Sequence, residues 1–371
     1  MVKGLTSGQK ASQLIMSVID GRNDVPPYFA KQFKDCVPGA ILLFRYNVAD
    51  TPKGFHDFLQ KIQNEFEKYG LPVIFAIDHE GGDVYRTGNL TTRLPSQRTI
   101  AEGYSPDQAR HIYEGAAQEL RLLGITMNLA PVAEQGTSYN KDFLGTRVFS
   151  DESDRTVTYS IAAIDGINAA RILSTVKHFP GNTADDPHNG ASRIVINRDA
   201  FDADIMTPFG EILKSGPGAV LVSHAIVDCI DPNVPFCLSK DGVNGIVRGT
   251  LGYKGLVITD DLSMGAIRSL GLSPAQAAIR AIAAGCDMIM TSDPDIISVK
   301  NAIIKEMEGN PSFSRRVEES AERIVRAKLS VGLPVSGLGR KAVSQGMSSA
   351  AFQQDLYQTV KRRTERMMEK E

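Results

Sequence analysis

Residues 256–264 read Leu256-Val257-Ile258-Thr259-Asp260-Asp261-Leu262-Ser263-Met264. The run Leu256 to Thr259 is short and continuously apolar or β-branched, which predicts a strand buried on both faces. Two carboxylates follow it directly. At a buried strand end they are costly unless paired or functional. Adjacent strand residues point to opposite sides, so one of the two is expected to face a pocket. A helix cap at Asp261 or Ser263 would account for one carboxylate and not both.

The same pattern recurs outward in both directions. Further strands are predicted at Leu14 to Val18, Ala40 to Phe44, Pro72 to Ile77 and Thr126 to Leu129, then at Ser174 to His178, Ala219 to Ser223 and Met288 to Met290. The first of these reads equally as the end of a helix. Amphipathic helical stretches lie between them: Pro52 to Tyr69, Ser105 to Leu123, Ser153 to Ala170, Ala203 to Lys214, Gly242 to Thr250 and Pro274 to Ala284. Doubly buried strands alternating with helices mean a parallel sheet with helices outside. Eight such units point to a closed (β/α)8 barrel of the TIM type, in the α/β class.

The chain has 371 residues, longer than a minimal barrel of about 250 but within the range of one with insertions. Residues 1–333 are assigned to a single barrel domain. From 334 the sequence turns rich in Gly and Ser, at Gly337, Gly339, Ser344, Gly346, Ser348 and Ser349, and Phe352 to Glu371 reads as a charged amphipathic helix. Residues 334–371 are therefore expected to form an extension that packs on the barrel or on a neighbouring subunit.

Composition narrows the function. A formal charge of −2 offers no reason for nucleic acid or an anionic membrane as partner. The basic cluster at Lys361 to Arg366 is diluted by Glu369 and Glu371 and reads as a solvated helix face. No window of about 18 apolar residues exists, and the N-terminus lacks the apolar core of a signal peptide. Cys36, Cys229, Cys237 and Cys286 have no Cys-x-x-Cys or metal spacing and are expected as free thiols, although Cys229 and Cys237 could pair across a loop. Free thiols favour a reducing, cytoplasmic setting. Gly81-Gly82 follows a strand without the Gly-x-Gly-x-x-Gly spacing, so a dinucleotide site is not expected.

In a barrel of this kind the active site gathers at the C-terminal ends of the strands. The third strand exits into Asp78-His79-Glu80-Gly81-Gly82 and then Arg86. Asp78 is placed for a ligand hydroxyl, or for capping the next helix, and the glycine pair lets the backbone turn closely. The fourth exits through Asn128 to Pro131 towards Gly145-Thr146-Arg147. The fifth exits into Lys177-His178-Phe179-Pro180-Gly181 and runs on to Asp185-Asp186-Pro187-His188. Proline extends the backbone before it, so Asp186 and His188 can face one side of a loop. A carboxylate bonded to imidazole fixes its tautomer and stabilises its protonated form, as a general acid requires. The sixth strand exits at Ser223-His224.

Taken in order, Ile77 to Gly82, Leu129-Ala130-Pro131-Val132, Lys177 to Gly181, Asp186 to His188 and Thr259 to Met264 resemble glycoside hydrolase family 3, specifically its single-domain bacterial β-N-acetylglucosaminidases. The resemblance covers roughly residues 10–332. It implies a retaining exo-hydrolase with Asp260 as nucleophile and His188 as acid/base, oriented by Asp186. It also implies that Asp78, Arg86, Arg147, Lys177 and His178 hold N-acetylglucosamine, and that no metal or organic cofactor takes part. The expected substrate is an N-acetylglucosamine-containing oligosaccharide or muropeptide, as in peptidoglycan recycling. Retention needs a carboxylate about 5 Å from its proton donor across an oxocarbenium-like transition state, and an imidazole of pKa near 6.5 suits donation at neutral pH.

Departures from the family pattern stand out in one loop. Asn182 follows Gly181 where the family commonly has His-Gly. The loop is about two residues shorter, and Pro187 stands before His188 in place of Ser or Thr. A shorter, stiffer loop leaves room for a phosphorylase, in which phosphate and not water attacks the glycosyl-enzyme. A catalytically silent sugar-binding barrel is the reading from another class.

Overall fold

The computed structural model describes residues 2–186, 189–190, 192–335 and 354–369. Eight parallel strands close into a barrel: β1 Ile15–Val18, β2 Ala40–Leu43, β3 Ile74–Ile77, β4 Met127–Asn128, β5 Leu173–Phe179, β6 Ala219–Val222, β7 Leu256–Asp261 and β8 Met288–Thr291. Closure is made by β1, which pairs Ile15 with Ile289 of β8 and Met16 with Ala40 of β2. Leu14 caps helix Ser7–Gln13 and β1 begins one residue later, so both readings of that segment meet there.

Alternation along the strands separates two packing layers. Leu42 and Ala76 join the cluster that contains Met16, Met127 and Val176. Their neighbours Ile41, Leu43, Phe75 and Ile77 instead join Phe55, Phe58, Leu59 and Ile62 of helix Pro52–Glu67. Both faces of the sheet are thus covered, as uninterrupted apolar strands require.

Helix starts follow local chemistry. Ser105-Pro106-Asp107-Gln108 and Ser273-Pro274-Ala275-Gln276 each form a capping box, with proline at the first helical position. Helix Pro106–Leu123 ends at Gly124, whose φ of +103° suits glycine. The stretch predicted as a helix from Ala203 begins earlier, at Arg198, and widens over Asp202–Met206 ahead of Pro208. Proline lacks an N–H for a regular helical bond, and a wider turn accommodates it.

The N-terminal face of the barrel is held by buried charge. Asp287, just before β8, is fully buried and pairs with Arg248, Arg316 and Arg323, the last at 2.9 Å, while its Oδ2 accepts the Val257 amide at 3.0 Å. Nearby, the buried Lys328 donates to Gln13 Oε1 and, at 2.5 Å, to the Pro72 carbonyl. Both contacts join the last barrel helix to segments that enter strands.

Helix Gln354–Met368 packs against helix Pro106–Leu123, with Tyr357 and Thr364 buried. The glycine- and serine-rich positions 337–349 lie outside the described residues. All four cysteines are free; Cys36, Cys237 and Cys286 are buried and Cys229 is half-buried. Among the described residues no helix is long and apolar enough to cross a membrane.

Candidate active site

At the C-terminal mouth of the barrel lies a cavity of about 250 Å³. Asp78, Arg86, Arg147, Lys177, His178 and Asp260 all border it. Six of the residues singled out in the sequence therefore converge from four strand exits. Asp186 is half-buried on the loop after β5, where its carbonyl accepts the Asn189 amide at 2.9 Å. His188, the expected acid/base, lies outside the described residues.

The β3 exit sets the first wall. Gly81 and Gly82 have φ of +98° and +58°, and a Cβ on Gly81 would come within 2.2 Å of the Pro95 carbonyl. Only glycine permits this turn. Asn128 of β4 clamps the backbone of His79, accepting its amide at 3.1 Å and donating to its carbonyl at 3.0 Å. The hairpin so formed aims Asp78 and Glu80 at Lys177, whose Nζ is 2.6 Å from each carboxylate.

Glu80 continues the series. Arg147 grips it in a fork, with Nε 2.8 Å from Oε2 and Nη2 2.9 Å from Oε1. Burial raises the Glu80 carboxyl pKa, but Lys177 and Arg147 outweigh it and hold the group at about 2. Burial likewise disfavours charge on Lys177, yet Asp78 and Glu80 raise its pKa overall. The row Asp78, Lys177, Glu80 and Arg147 thus alternates acidic and basic side chains, each in contact with the next.

Asp260 borders the same cavity from the end of β7. Burial favours its neutral form, but His224, His178, the Asp261 amide and Lys177 together lower its pKa. Its Oδ1 accepts the Asp261 amide at 2.8 Å. Such a carboxylate is charged at neutral pH and can meet a developing cation. Contrary to the expected alternation, Asp260 and Asp261 both border the cavity. The register of β7 against β8 shifts between Ile258 and Asp261, which breaks strict alternation there. Asp261 also ties two exits together, because its Oδ1 accepts the Ser263 and Ser292 amides at 2.8 and 3.1 Å.

Three participants escaped the sequence reading of the site. Glu80 was visible only as part of a motif. His224 is buried, with Nε2 donating to the Asp261 carbonyl at 2.9 Å. Glu134, buried beyond the β4 exit, was not singled out at all. Its Oε1 accepts His178 Nδ1–H at 2.7 Å and Asn182 Nδ2 at 2.8 Å, and Oε2 accepts the Asn182 amide at 2.6 Å. This bond fixes the His178 tautomer. It also gives Asn182, one of the departures noted above, a concrete place in the structure.

Acidic and basic side chains thus converge at the C-terminal mouth of a (β/α)8 barrel, the place where enzymes of this fold carry their active sites. The Glycosyl hydrolase family 3 N terminal domain matches residues 8–327, and the chain belongs to that family. It is a glycoside hydrolase. A β-hexosaminidase of Nitrosomonas eutropha is 29% identical over 311 residues, covering 78% of this chain and 87% of the relative. Among solved structures, a family 3 β-N-acetylglucosaminidase from Paenibacillus sp. superposes with a TM-score of 0.84 at 26% identity, over 98% of this chain and 69% of that one. A β-N-acetylhexosaminidase from Beutenbergia cavernae gives 0.79 at 25% identity, over 87% and 98%.

Proposed function

We propose that this chain is a retaining exo-β-N-acetylglucosaminidase that removes terminal β-linked N-acetylglucosamine from oligosaccharides or muropeptides. The observation that carries the reading is Asp260, a half-buried carboxylate whose pKa its neighbours lower, at the mouth of a sugar-sized cavity. The names of the β-hexosaminidase and β-N-acetylglucosaminidase relatives support the choice of sugar.

In this reading an Asp260 carboxylate oxygen attacks the anomeric carbon while the glycosidic C–O bond breaks. The departing oxygen takes a proton from His188, which Asp186 orients. Water then attacks the glycosyl ester, gives its proton to His188 and frees Asp260. Asp78, Lys177, His178, Arg147 and Arg86 bind and orient the sugar, so their contacts place the anomeric carbon. Free thiols fit a cytoplasmic site of action.

The test is nitrophenol release from 4-nitrophenyl N-acetyl-β-glucosaminide by wild type and Asp260→Asn, with and without phosphate. Turnover lost in the variant, and indifferent to phosphate in the wild type, is the expected result. Phosphate-dependent turnover would make the enzyme a phosphorylase, the reading left open by Asn182 and the short loop. No wild-type turnover would leave a sugar-binding barrel.

A further inference from the structure

The loop after β3 carries Asp78, Glu80 and Arg86 into the cavity but has little regular structure of its own beyond a ribbon of His79–Gly81 with Val84–Tyr85. Its outer side is tied down by side chains. Tyr85, next to Arg86, lies 4.8 Å from the His79 ring and donates its hydroxyl to the Thr91 carbonyl at 2.5 Å. The Thr87 and Thr91 hydroxyls are 2.5 Å apart. The Thr92 amide donates to Glu119, a buried carboxylate on helix Pro106–Leu123, at 2.7 Å.

The terminal helix Gln354–Met368 closes over these same groups. Thr92 Oγ1 donates to the Lys361 carbonyl at 3.3 Å, and Lys361 Nζ reaches the Asn89 carbonyl at 3.4 Å. Tyr357, 1% exposed, lies in the same apolar cluster as Ile112, Tyr113 and Ala116 of helix Pro106–Leu123. Thr364 is fully buried over Gly115, where any Cβ would come within 2.6 Å of its Oγ1. Glycine weakens a helix interior, and this close seat is the physical reason for one at that position. Burial raises the Glu119 carboxyl pKa, and Thr92, Thr364 and Lys361 oppose the rise, so one group senses loop and terminal helix together.

We propose that helix Gln354–Met368 is a positioning element for the substrate loop, acting through Tyr357, Lys361 and Thr364 on Asn89–Thr92 and, through Tyr85, on Arg86. Arg86 Nε is buried without a hydrogen-bond partner among the described residues, so this side chain contributes through where it stands. The inference rests on the reading of the cavity as a glycoside site.

Two full-length variants test it from opposite sides. Gly115→Leu fills the space of Thr364 from the barrel, and Tyr357→Ala empties the seat from the terminal helix. Both are expected to speed amide exchange in the terminal helix and in residues 84–93. KM for 4-nitrophenyl N-acetyl-β-glucosaminide should rise about tenfold with kcat within about threefold. Tyr357→Phe, which keeps the ring, should restore KM to within about twofold of wild type. Should Gly115→Leu fail to fold, Tyr357→Ala decides alone. Lost protection in the terminal helix with residues 84–93 still protected and KM unchanged would overturn the inference. If the wild type turns over no glycoside, the catalytic reading fails by itself, and exchange at residues 84–93 still decides the positioning role.

Discussion

Glu134 Oε1 lies 2.7 Å from His178 Nδ1, and the same oxygen also accepts the Asn182 side chain. One buried carboxylate therefore sets the orientation of an imidazole that borders the cavity and anchors the start of the loop that leads to His188.

That arrangement makes Glu134→Gln informative. An amide offers one acceptor oxygen where the structure uses two, and its NH2 would confront a donor. A mispaired buried donor costs about 1–3 kcal/mol, so kcat/KM should fall roughly tenfold to hundredfold while the fold persists. A variant within about twofold of wild type in kcat/KM would show that Glu134 does not orient the site.

How far the sequence already disclosed this site can be judged from the same residue. The β-strands were readable because each is a short apolar run, and Asp78, Lys177, His178 and Asp260 stand directly at strand exits. Glu134 sits three residues past Pro131 in a stretch with no periodicity, and only the fold brings it to His178. Glu80 lay within a quoted motif, but its role depends on Arg147, far along the chain, and on Lys177 from another strand. Tracing the β4 exit a few residues further would have found Glu134. Nothing local would have shown that Arg147 is tied to a buried glutamate.

Lys328 predicts a pH effect away from the cavity. Burial, with no carboxylate partner among the described residues, lowers its pKa to about 7, against 10.5 when unfolded. Between those values the unfolded chain binds the extra proton, so this group's contribution to stability rises with pH from about 7 to about 10. Lys328→Met should flatten that rise, measured as the wild-type-minus-variant difference in urea unfolding free energy across the interval. A difference that stays constant with pH would contradict the assignment.

Asp287 offers a separation of stability from function. Asp287→Asn leaves Arg248, Arg316 and Arg323 facing a neutral group in a buried setting. Removing one partner of a buried ion cluster typically costs about 3–5 kcal/mol. The urea midpoint should drop accordingly, with KM unchanged because the cluster lies at the opposite end of the barrel. An unaltered midpoint would mean that the three arginines are satisfied without it.

The alternating row of Asp78, Lys177, Glu80 and Arg147 has a consequence for how ligands arrive. Every cation in it is flanked by an anion, and Asp260 and Asp261 border the same cavity as Arg86. Among the described residues the mouth thus presents no surplus of positive potential that could draw in a dianion such as phosphate ahead of water. An uncharged sugar enters such a site without long-range guidance, and its capture is governed by shape and hydrogen bonding at contact distance. The kcat/KM for a neutral glycoside should accordingly stay within about twofold between low and physiological ionic strength, as measured by initial rates over a salt series.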